Sequence, residues 1–212
     1  MRIELKHIVP APLAGTFSLH PVWDQEIVLQ QPEAYSVLAP SGKGKSTLLH
    51  LINGTRRDFS GTLLLDGRDS KTFSDKDWAE LRAKQVSTVF QDLRLFPQLS
   101  AKENIQIQAR LGAYLDENTW LGYAEEMGVS ALLDKPCGKL SFGQQQRIAI
   151  LRALVQPFEW LLMDEPFSHL DEENIRIICG ILEKELKERQ AGLLLSSLGT
   201  TYPYPFTQSL LI

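Results

Sequence analysis

The sequence predicts an α/β fold with a parallel β-sheet, an antiparallel β portion at its N-terminus and an inserted helical segment. Three observations indicate this fold. The first third contains short apolar strand candidates, RIELKHIV, EIVLQQ, AYSVLAP and GTLLLDG, divided by Pro and Gly clusters. After residue 34 strands and helices alternate, which is typical of a parallel sheet. Between residues 101 and 135 the apolar pattern becomes helical and ends at Pro136.

The later elements follow from caps, breakers and periodicity. A short helix is predicted over residues 45–53, where Gly54 ends it, and another over residues 74–85, capped by Ser74. VSTVFQ is predicted as a buried strand, and FGQQQRIAILRALVQ as a long helix that stops at Pro157. We predict an apolar strand for EWLLMDE and an amphipathic helix for DEENIRIICGILEKELKERQ. The closing strands are predicted for LLLSSL and TQSLLI.

Composition limits the class of protein. Of 212 residues, 43% are hydrophobic and 23% charged, as in a globular protein with a core. The formal net charge of −4 provides no basic field for nucleic acid or anionic lipid, so no nucleic-acid partner is expected. Cys137 and Cys179 lack metal-type spacing, and reduced thiols fit a cytosolic setting. The segment MRIELKHIV has no signal-peptide core, and no apolar run reaches the ~20 residues that cross a bilayer, so a soluble chain is expected.

The segment APSGKGKS, residues 39–46, indicates a phosphate-binding loop. It matches G-x-x-x-x-G-K-[ST] except at its first position, and it joins a predicted strand to a predicted helix. Gly42 and Gly44 let backbone N–H groups approach phosphate oxygens, Lys45 adds a charge for the β and γ phosphates, and the Ser46 hydroxyl can reach Mg²⁺. The alternative is a Gly/Ser turn with surface lysines. The nucleotide-binding residues expected here are Ala39, Pro40, Ser41, Gly42, Lys43, Gly44, Lys45, Ser46 and Thr47, in a P-loop NTPase core.

An acidic pair, Asp164 and Glu165, ends the apolar strand in WLLMDEPF. Ligands of parallel sheets gather at the carboxyl ends of the strands. Asp164 can support Mg²⁺ through its water shell, and Glu165 can orient and deprotonate an attacking water. Two acids facing solvent are the alternative interpretation.

LSFGQQQR, residues 140–147, decides the family. Together with the phosphate loop, Gln91 in VFQD, LLMDEP and SHLD, it resembles the nucleotide-binding subunit of ATP-binding cassette (ABC) transporters over residues 2–210. The text FSDKDWAELRAKQVSTVFQDLRLFPQLSAKENI looks most like the lipoprotein-releasing and macrolide-export subgroup. The resemblance implies one ABC ATPase domain over residues 1–212. Its β subdomain would comprise residues 1–34 and about 55–67, its helical subdomain about 93–136, and its P-loop core the remainder.

The resemblance also implies residue roles. Two such subunits pack head to tail, with each ATP between the phosphate loop of one and the signature segment of the other. Ser141, Gly143 and Gln144 would then contact the nucleotide bound by the opposite subunit, and Asp171 in SHLD would lie at the dimer seam. The implied catalytic residues are Glu165, Gln91 and Lys45, and the implied Mg²⁺ ligands are Ser46, Gln91 and Asp164.

Several positions depart from the family pattern. Ala39 replaces the first glycine of the phosphate loop, and Phe142 replaces the first glycine of the signature pair, where its side chain can project from the loop. Ser197 stands where the family usually has a histidine that contacts the γ-phosphate, and serine is too short to replace it. The resulting hypothesis is intact nucleotide binding with slowed hydrolysis. Phe17 and Trp23 are candidates for the aromatic that stacks on adenine, and core packing is the alternative for both.

The leading functional prediction is the energy-coupling ATPase of a membrane transport complex, bound to membrane-spanning permease subunits at the cytoplasmic face. The alternative is a nucleotide-gated binding module with little turnover, which Ser197 favours. A soluble ABC protein of translation or DNA repair is a third interpretation, but the chain has neither two cassettes nor long coiled coils. The second ATPase subunit is either another copy of this chain or a different chain. In a heterodimer with a different chain, one composite site would hydrolyse ATP.

Overall fold

Two sheets organise the computed structural model, which describes residues 1–14, 22–40 and 42–212. The first is antiparallel, with the order β2-β1-β4-β5. Its strands are β1 (Ile3–Pro10), β2 (Glu26–Leu29), β4 (Phe59–Leu65) and β5 (Arg68–Asp69). This sheet is the predicted N-terminal antiparallel portion, and residues 59–69 return to it after the phosphate-loop segment.

The second sheet is parallel, with the order β6-β7-β8-β3-β9. Its strands are β3 (Ala34–Leu38), β6 (Val86–Val89), β7 (Trp160–Asp164), β8 (Gly192–Ser197) and β9 (Gln208–Leu211). Leu38 is paired with Ser197 and Asp164 with Ser196, so the carboxyl ends of β3, β7 and β8 meet at one edge. The predicted α/β class is confirmed, and this edge is where the site lies.

Six helices complete the described chain: α1 (Lys45–Ile52), α2 (Asp75–Lys84), α3 (Ala101–Gly112), α4 (Glu117–Glu126), α5 (Phe142–Val155) and α6 (Glu172–Arg189). Ser74, Ser100 and Ser141 begin α2, α3 and α5 with reciprocal capping boxes. These caps satisfy N–H groups that have no partner within the helix. In the described part of the chain, no helix is long and apolar enough to span a bilayer.

The inserted segment is two helices and not one continuous helical run. α3 ends at Gly112, whose φ is 147°, and Asp116 caps α4 by accepting the Thr119 N–H. Short 3₁₀ turns at Ser130–Leu132 and Cys137–Lys139 follow. The sequence periodicity predicted helix correctly but did not resolve this break.

The hydrophobic core lies on both faces of the parallel sheet. Leu161, Met163, Leu193 and Leu195 point into a cluster with α3, α4, α5 and α6. The alternate residues Trp160, Leu162 and Leu194 point into a second cluster with α1 and the antiparallel sheet. Every residue of β7 and β8 is buried, as expected for a strand covered on both faces. The edge that carries Asp164 is therefore held by packing from two sides.

Candidate nucleotide-binding and ATPase site

The phosphate loop connects β3 to α1 through two glycines in the left-handed region. Gly42 has φ 79° and Gly44, the N-cap of α1, has φ 103°. A Cβ on Gly44 would lie 2.8 Å from Leu13 Cδ1 and 3.0 Å from Trp23 Cζ2, so both conformation and space require glycine. Ser41 lies outside the described residues. The loop backbone at Gly44 is held against the core, which fixes the start of α1.

Ala39, Pro40, Lys43, Ser46 and Thr47 surround this turn. Ala39 is buried, so the methyl group that replaces the expected glycine is accommodated in the core. Lys43 is exposed, whereas Ser46 and Thr47 are half-buried in the first turn of α1. The helix therefore presents its N-terminal amides and the Ser46 hydroxyl together, a combination that suits a phosphate and its counter-ion.

Lys45 is the central cation of the site. Its Nζ donates to Ala39 O at 2.9 Å and to Pro40 O at 3.2 Å, and it lies 3.4 Å from Glu165 Oε1. Gln91 Nε2 approaches the other oxygen of Glu165 at 3.5 Å. The structure thus brings together Lys45, Gln91 and Glu165, which sequence reasoning selected as the catalytic set from three distant segments.

Ser196 secures the acidic end of β7. Its Oγ donates to Asp164 Oδ1 at 2.7 Å and accepts the Glu165 N–H at 3.1 Å. Asp164 is only 3% exposed, and Glu165 adopts a left-handed φ of 48°. Sequence analysis did not select Ser196, although a polar residue at the end of a strand beside β7 was the available signal.

A cavity of about 260 Å³ joins the three candidate Mg²⁺ ligands. Ser46, Gln91 and Asp164 line it together with His50, Phe90, Asp92 and Arg94. Their hydroxyl, amide and carboxylate oxygens are the hard donors that Mg²⁺ prefers. Among the described residues, no group of three or more His, Cys, Asp or Glu side chains is arranged so that it could hold a metal ion by itself. The donor set fits an ion that takes its remaining ligands from substrate phosphates and water.

His50 also lines this cavity, and sequence reasoning did not select it. It lies one turn after Ser46 on α1, and its ring centroid is 5.9 Å from that of Phe90. Burial lowers the pKa of His50 below 6.5, and the nearby guanidinium of Arg94 lowers it further, against the opposing effect of Asp164. The lowered pKa favours the uncharged form of the imidazole in this cavity. Its spacing of four from Ser46 was the signal in the sequence.

The signature segment begins α5. Ser141 Oγ accepts the Gln144 N–H at 3.3 Å, and Gln144 Oε1 accepts the Ser141 N–H at 3.0 Å. Ser141 is exposed and retains its hydroxyl proton for an outside acceptor. A Cβ on Gly143 would lie 2.7 Å from His169 O, so the helix start packs on the SHLD turn. Ser141 and Gln144 thus bond to each other, and Gly143 packs on that turn.

The SHLD turn is fixed to α5 by a buried glutamine. Gln146, 1% exposed, donates to Ser168 Oγ at 3.0 Å and accepts the His169 N–H at 3.2 Å. Asp171 caps α6 by accepting the Asn174 N–H at 2.8 Å. Two segments that the sequence separates by some 20 residues therefore form one surface.

Comparison with known proteins agrees with this arrangement. The family model described as ABC transporter matches residues 24–168. The chain belongs to the ABC transporter family. The ATP-binding protein YknY of Bacillus subtilis, uncharacterized and described as an ABC transporter protein, is 32% identical over 83% of this chain and 78% of its own length. Lipoprotein-releasing system ATP-binding protein LolD of Leptospira interrogans is 34% identical over 78% of this chain and 71% of its own.

Further relatives and a solved structure belong to the same ABC family. Thiamine import ATP-binding protein ThiQ of Escherichia coli is 34% identical over 81% of this chain and 72% of its own length. The dimeric structure of the bacterial ABC transporter cassette MJ0796 aligns with a TM-score of 0.79 at 25% identity, covering 92% of this chain and 87% of that one. The predicted family, fold and ATPase class are confirmed. Because the relatives include import and lipoprotein-releasing proteins, the finer subgroup stays a prediction.

Two departures from the ABC pattern have a structural account. Phe142 is 41% exposed, and its ring packs edge-on against His169 with centroids 4.4 Å apart, so it projects from the signature segment. Ser197 is 2% exposed, and its Oγ donates to Thr200 O at 2.9 Å. The Ser197 hydroxyl, at the position where the family has a histidine, therefore stabilises the turn after β8.

The two adenine-stacking candidates have different outcomes. Trp23 is 2% exposed and packs behind Gly44 in the core, so the core alternative applies to it. Phe17 lies outside the described residues. Burial removes Trp23 from the surface that a base would contact.

Proposed function

We propose that this ABC subunit binds MgATP between its phosphate loop and the signature segment of a second cassette, and that hydrolysis drives membrane-spanning permease subunits. The observation that carries the proposal is the convergence of Lys45 and Gln91 on Glu165 beside a loop whose conformation requires Gly44. We place the subunit on the cytoplasmic face of the membrane, held there by its partner.

The chemistry follows from charge placement. Amides of the loop hold the phosphates, and the Lys45 ammonium exchanges Glu165 for the β and γ oxygens. Ser46, Asp164 and Gln91 would hold Mg²⁺, and the bound ion would neutralise the negative charge that develops on the phosphate oxygens. Glu165, released from Lys45, accepts the proton of the attacking water, while Ser196 fixes its main chain.

The second cassette supplies Ser141, Gly143 and Gln144. Ser141 offers a hydroxyl and the start of α5 offers N–H groups, both suited to a γ-phosphate. Dimerisation is supported by the dimeric cassette that shares this fold. Asp171 and the SHLD turn lie beside the signature segment and would share the seam.

The permease partner is supported by the names of the relatives and by a groove next to the Gln91 loop. The relatives are described as ATP-binding proteins of thiamine import and of lipoprotein release. A groove of about 380 Å³ runs between α2, β6, α3 and α5, and Phe90, Gln108, Leu111 and Gln156 are among its lining residues. We assign it to a short amphipathic permease segment, because exposed apolar Leu111 adjoins polar amides there.

Hydrolysis is slow in this proposal. The family histidine is replaced by Ser197, whose hydroxyl is engaged by Thr200. Loss of one donor to the transferring phosphoryl group costs about 2.7–4 kcal/mol, or roughly 10²–10³ in rate.

The domain division expected from the family, with the helical subdomain near residues 93–136, is also part of this proposal.

The test is MgATP binding by calorimetry together with steady-state phosphate release, for the chain alone and with its permease. The ATPase is supported if the wild type binds MgATP and if Glu165→Gln abolishes its turnover. The proposal is overturned if the chain binds no MgATP, both alone and with its permease. Ser197 favours a second candidate, a nucleotide-gated module. Binding and ATP-dependent dimerisation with phosphate release insensitive to Glu165→Gln would establish that candidate instead.

A further inference from the structure

The loop that follows Gln91 has an unusual backbone. Leu93 and Arg94 are consecutive non-glycine residues with φ of 58° and 47°. A left-handed conformation is unfavourable for an L-residue, because it brings the Cβ atom too close to the following carbonyl oxygen. Such conformations persist where the surroundings impose them, and they concentrate at functional sites.

Arg152 of α5 holds this conformation. Its Nη1 donates to Arg94 O and its Nη2 to Leu93 O, both at 2.7 Å. The rigid guanidinium fork thus engages two successive carbonyls, a geometry that a lysine cannot reproduce. Within the described residues Arg152 has no carboxylate in ion-pair range, so the main chain of this loop is its charge-compensating partner.

The loop is anchored again beyond Leu95. Asn104 of α3, fully buried, donates to Phe96 O at 3.0 Å and accepts the Phe96 N–H at 2.8 Å. The Leu93 side chain is 3% exposed, and its N–H donates to Phe90 O at 2.9 Å. Arg152 therefore acts on the part of the loop next to Gln91, and Asn104 on the part away from it.

α5 connects this anchor to the signature segment. Ser141 caps the helix, and Arg152 lies eleven residues later, about 16 Å along its axis. Residues 148–151 and 153–155 are buried, so packing holds this part of the helix in the core. The Arg152 fork therefore links the helix that begins at the signature segment to the main chain of Leu93 and Arg94.

We propose that Arg152 is a positioning residue that sets the Gln91 amide beside Glu165 according to the position of the signature end of α5. The inference rests on the proposed function, in which the signature segment contacts the nucleotide of a second cassette. Arg152 itself contacts neither substrate nor Mg²⁺ in this arrangement. Its effect is exerted on Gln91, whose amide lies 3.5 Å from Glu165.

The experiment compares Arg152→Gln, Arg152→Lys and a control, Arg57→Gln. Arg57 also donates to a main-chain carbonyl, Gly54 O at 3.3 Å, but far from the Gln91 loop. For each purified chain, MgATP affinity, single-turnover phosphate release, thermal midpoint and amide exchange over residues 91–96 are measured.

We expect Arg152→Gln to keep MgATP affinity within about three-fold, because the phosphate loop is untouched, and to lower phosphate release at least ten-fold. Amide exchange at Leu93 and Arg94 rises in the same variant. Arg152→Lys, which donates without the fork, recovers part of the rate, and Arg57→Gln matches the wild type. If Arg152→Gln fails to fold, the Lys variant carries the comparison.

Unchanged phosphate release, or unchanged exchange over residues 91–96, would overturn the inference. An equal loss of MgATP affinity and rate would also overturn it, since that result marks a general structural role. Failure of the wild type to bind MgATP would instead defeat the proposed function, and the exchange comparison would still test whether Arg152 holds the loop.

Discussion

The ammonium of Lys45 lies 3.4 Å from the carboxylate of Glu165. Lys45 is 4% exposed and Glu165 13%, so the pair is largely shielded from solvent. An anionic phosphate entering the loop must therefore displace Glu165 from Lys45. The same carboxylate that accepts a proton in the proposed reaction also competes with the substrate for the main cation.

Glu165→Gln should separate these two effects. Phosphate release should fall at least 10²-fold because the general base is lost, as expected for such groups. MgATP affinity should rise several-fold because an anion leaves the phosphate pocket. Calorimetry and a phosphate-release assay check both, with Glu188→Gln as an exposed-charge control. Weaker MgATP binding by Glu165→Gln would contradict the competition.

Ser197→His should raise turnover. Histidine restores a donor at the position where the family contacts the γ-phosphate, and the expected gain is roughly 10²–10³ in rate. Ser197→Ala should leave the rate unchanged, because this hydroxyl is engaged by Thr200 O at 2.9 Å. Steady-state phosphate release compares the two variants. A large loss of rate in Ser197→Ala would show that the serine itself acts on the substrate.

Ser196→Ala should reduce both stability and turnover. The substitution removes the hydrogen bonds of Ser196 Oγ to the Asp164 carboxylate and to the Glu165 N–H. Because both groups lie at the buried strand edge, the free energy of unfolding should fall by about 1–3 kcal/mol. Ser87→Ala is the matched control, since Ser87 is also a buried strand serine and donates to Ala153 O at 2.8 Å. Denaturant unfolding should show a loss in both variants, and only Ser196→Ala should slow phosphate release per folded molecule.

Glu185→Gln should destabilise the fold strongly. Glu185 and Arg189 are 1% and 2% exposed and lie 2.7 Å apart, and Tyr123 of α4 also donates to Glu185. Removing one partner of a buried pair costs about 3–5 kcal/mol, because the other charge stays buried. Glu172→Gln on the same helix removes an exposed pair with Arg176 at 4.0 Å and should change the unfolding free energy by less than about 0.5 kcal/mol. Equal effects in denaturant unfolding would contradict the burial argument.

Gly143→Ala should impair assembly with a second cassette. Its Cβ would lie 2.7 Å from His169 O, so the start of α5 and the SHLD turn must move apart. The expected readout is loss of MgATP-dependent dimerisation in light scattering. Gly180→Ala, with no atom within 4 Å of the added Cβ, should gain about 0.5–1 kcal/mol from helix propensity and dimerise normally. Normal dimerisation of Gly143→Ala would show that the turn adapts.

Features that depend only on neighbouring residues could be predicted from the sequence. A strand, a glycine turn and a helix start around Gly44 are local, and so is the capping serine Ser74, whose partner lies three residues away. Motif order then indicated the ABC family. The end of the second strand was predicted too late, because EIVLQQ extends to Gln31 whereas β2 stops at Leu29.

Which distant groups come into contact depends on the packing of the folded chain. Register between parallel strands places Ser196 against Asp164 and turns Ser197 toward Thr200, and packing buries Trp23 behind the phosphate loop. These outcomes depend on how the sheets and helices pack against one another. The position of a serine in the sequence does not specify which carbonyl or carboxylate its hydroxyl will contact.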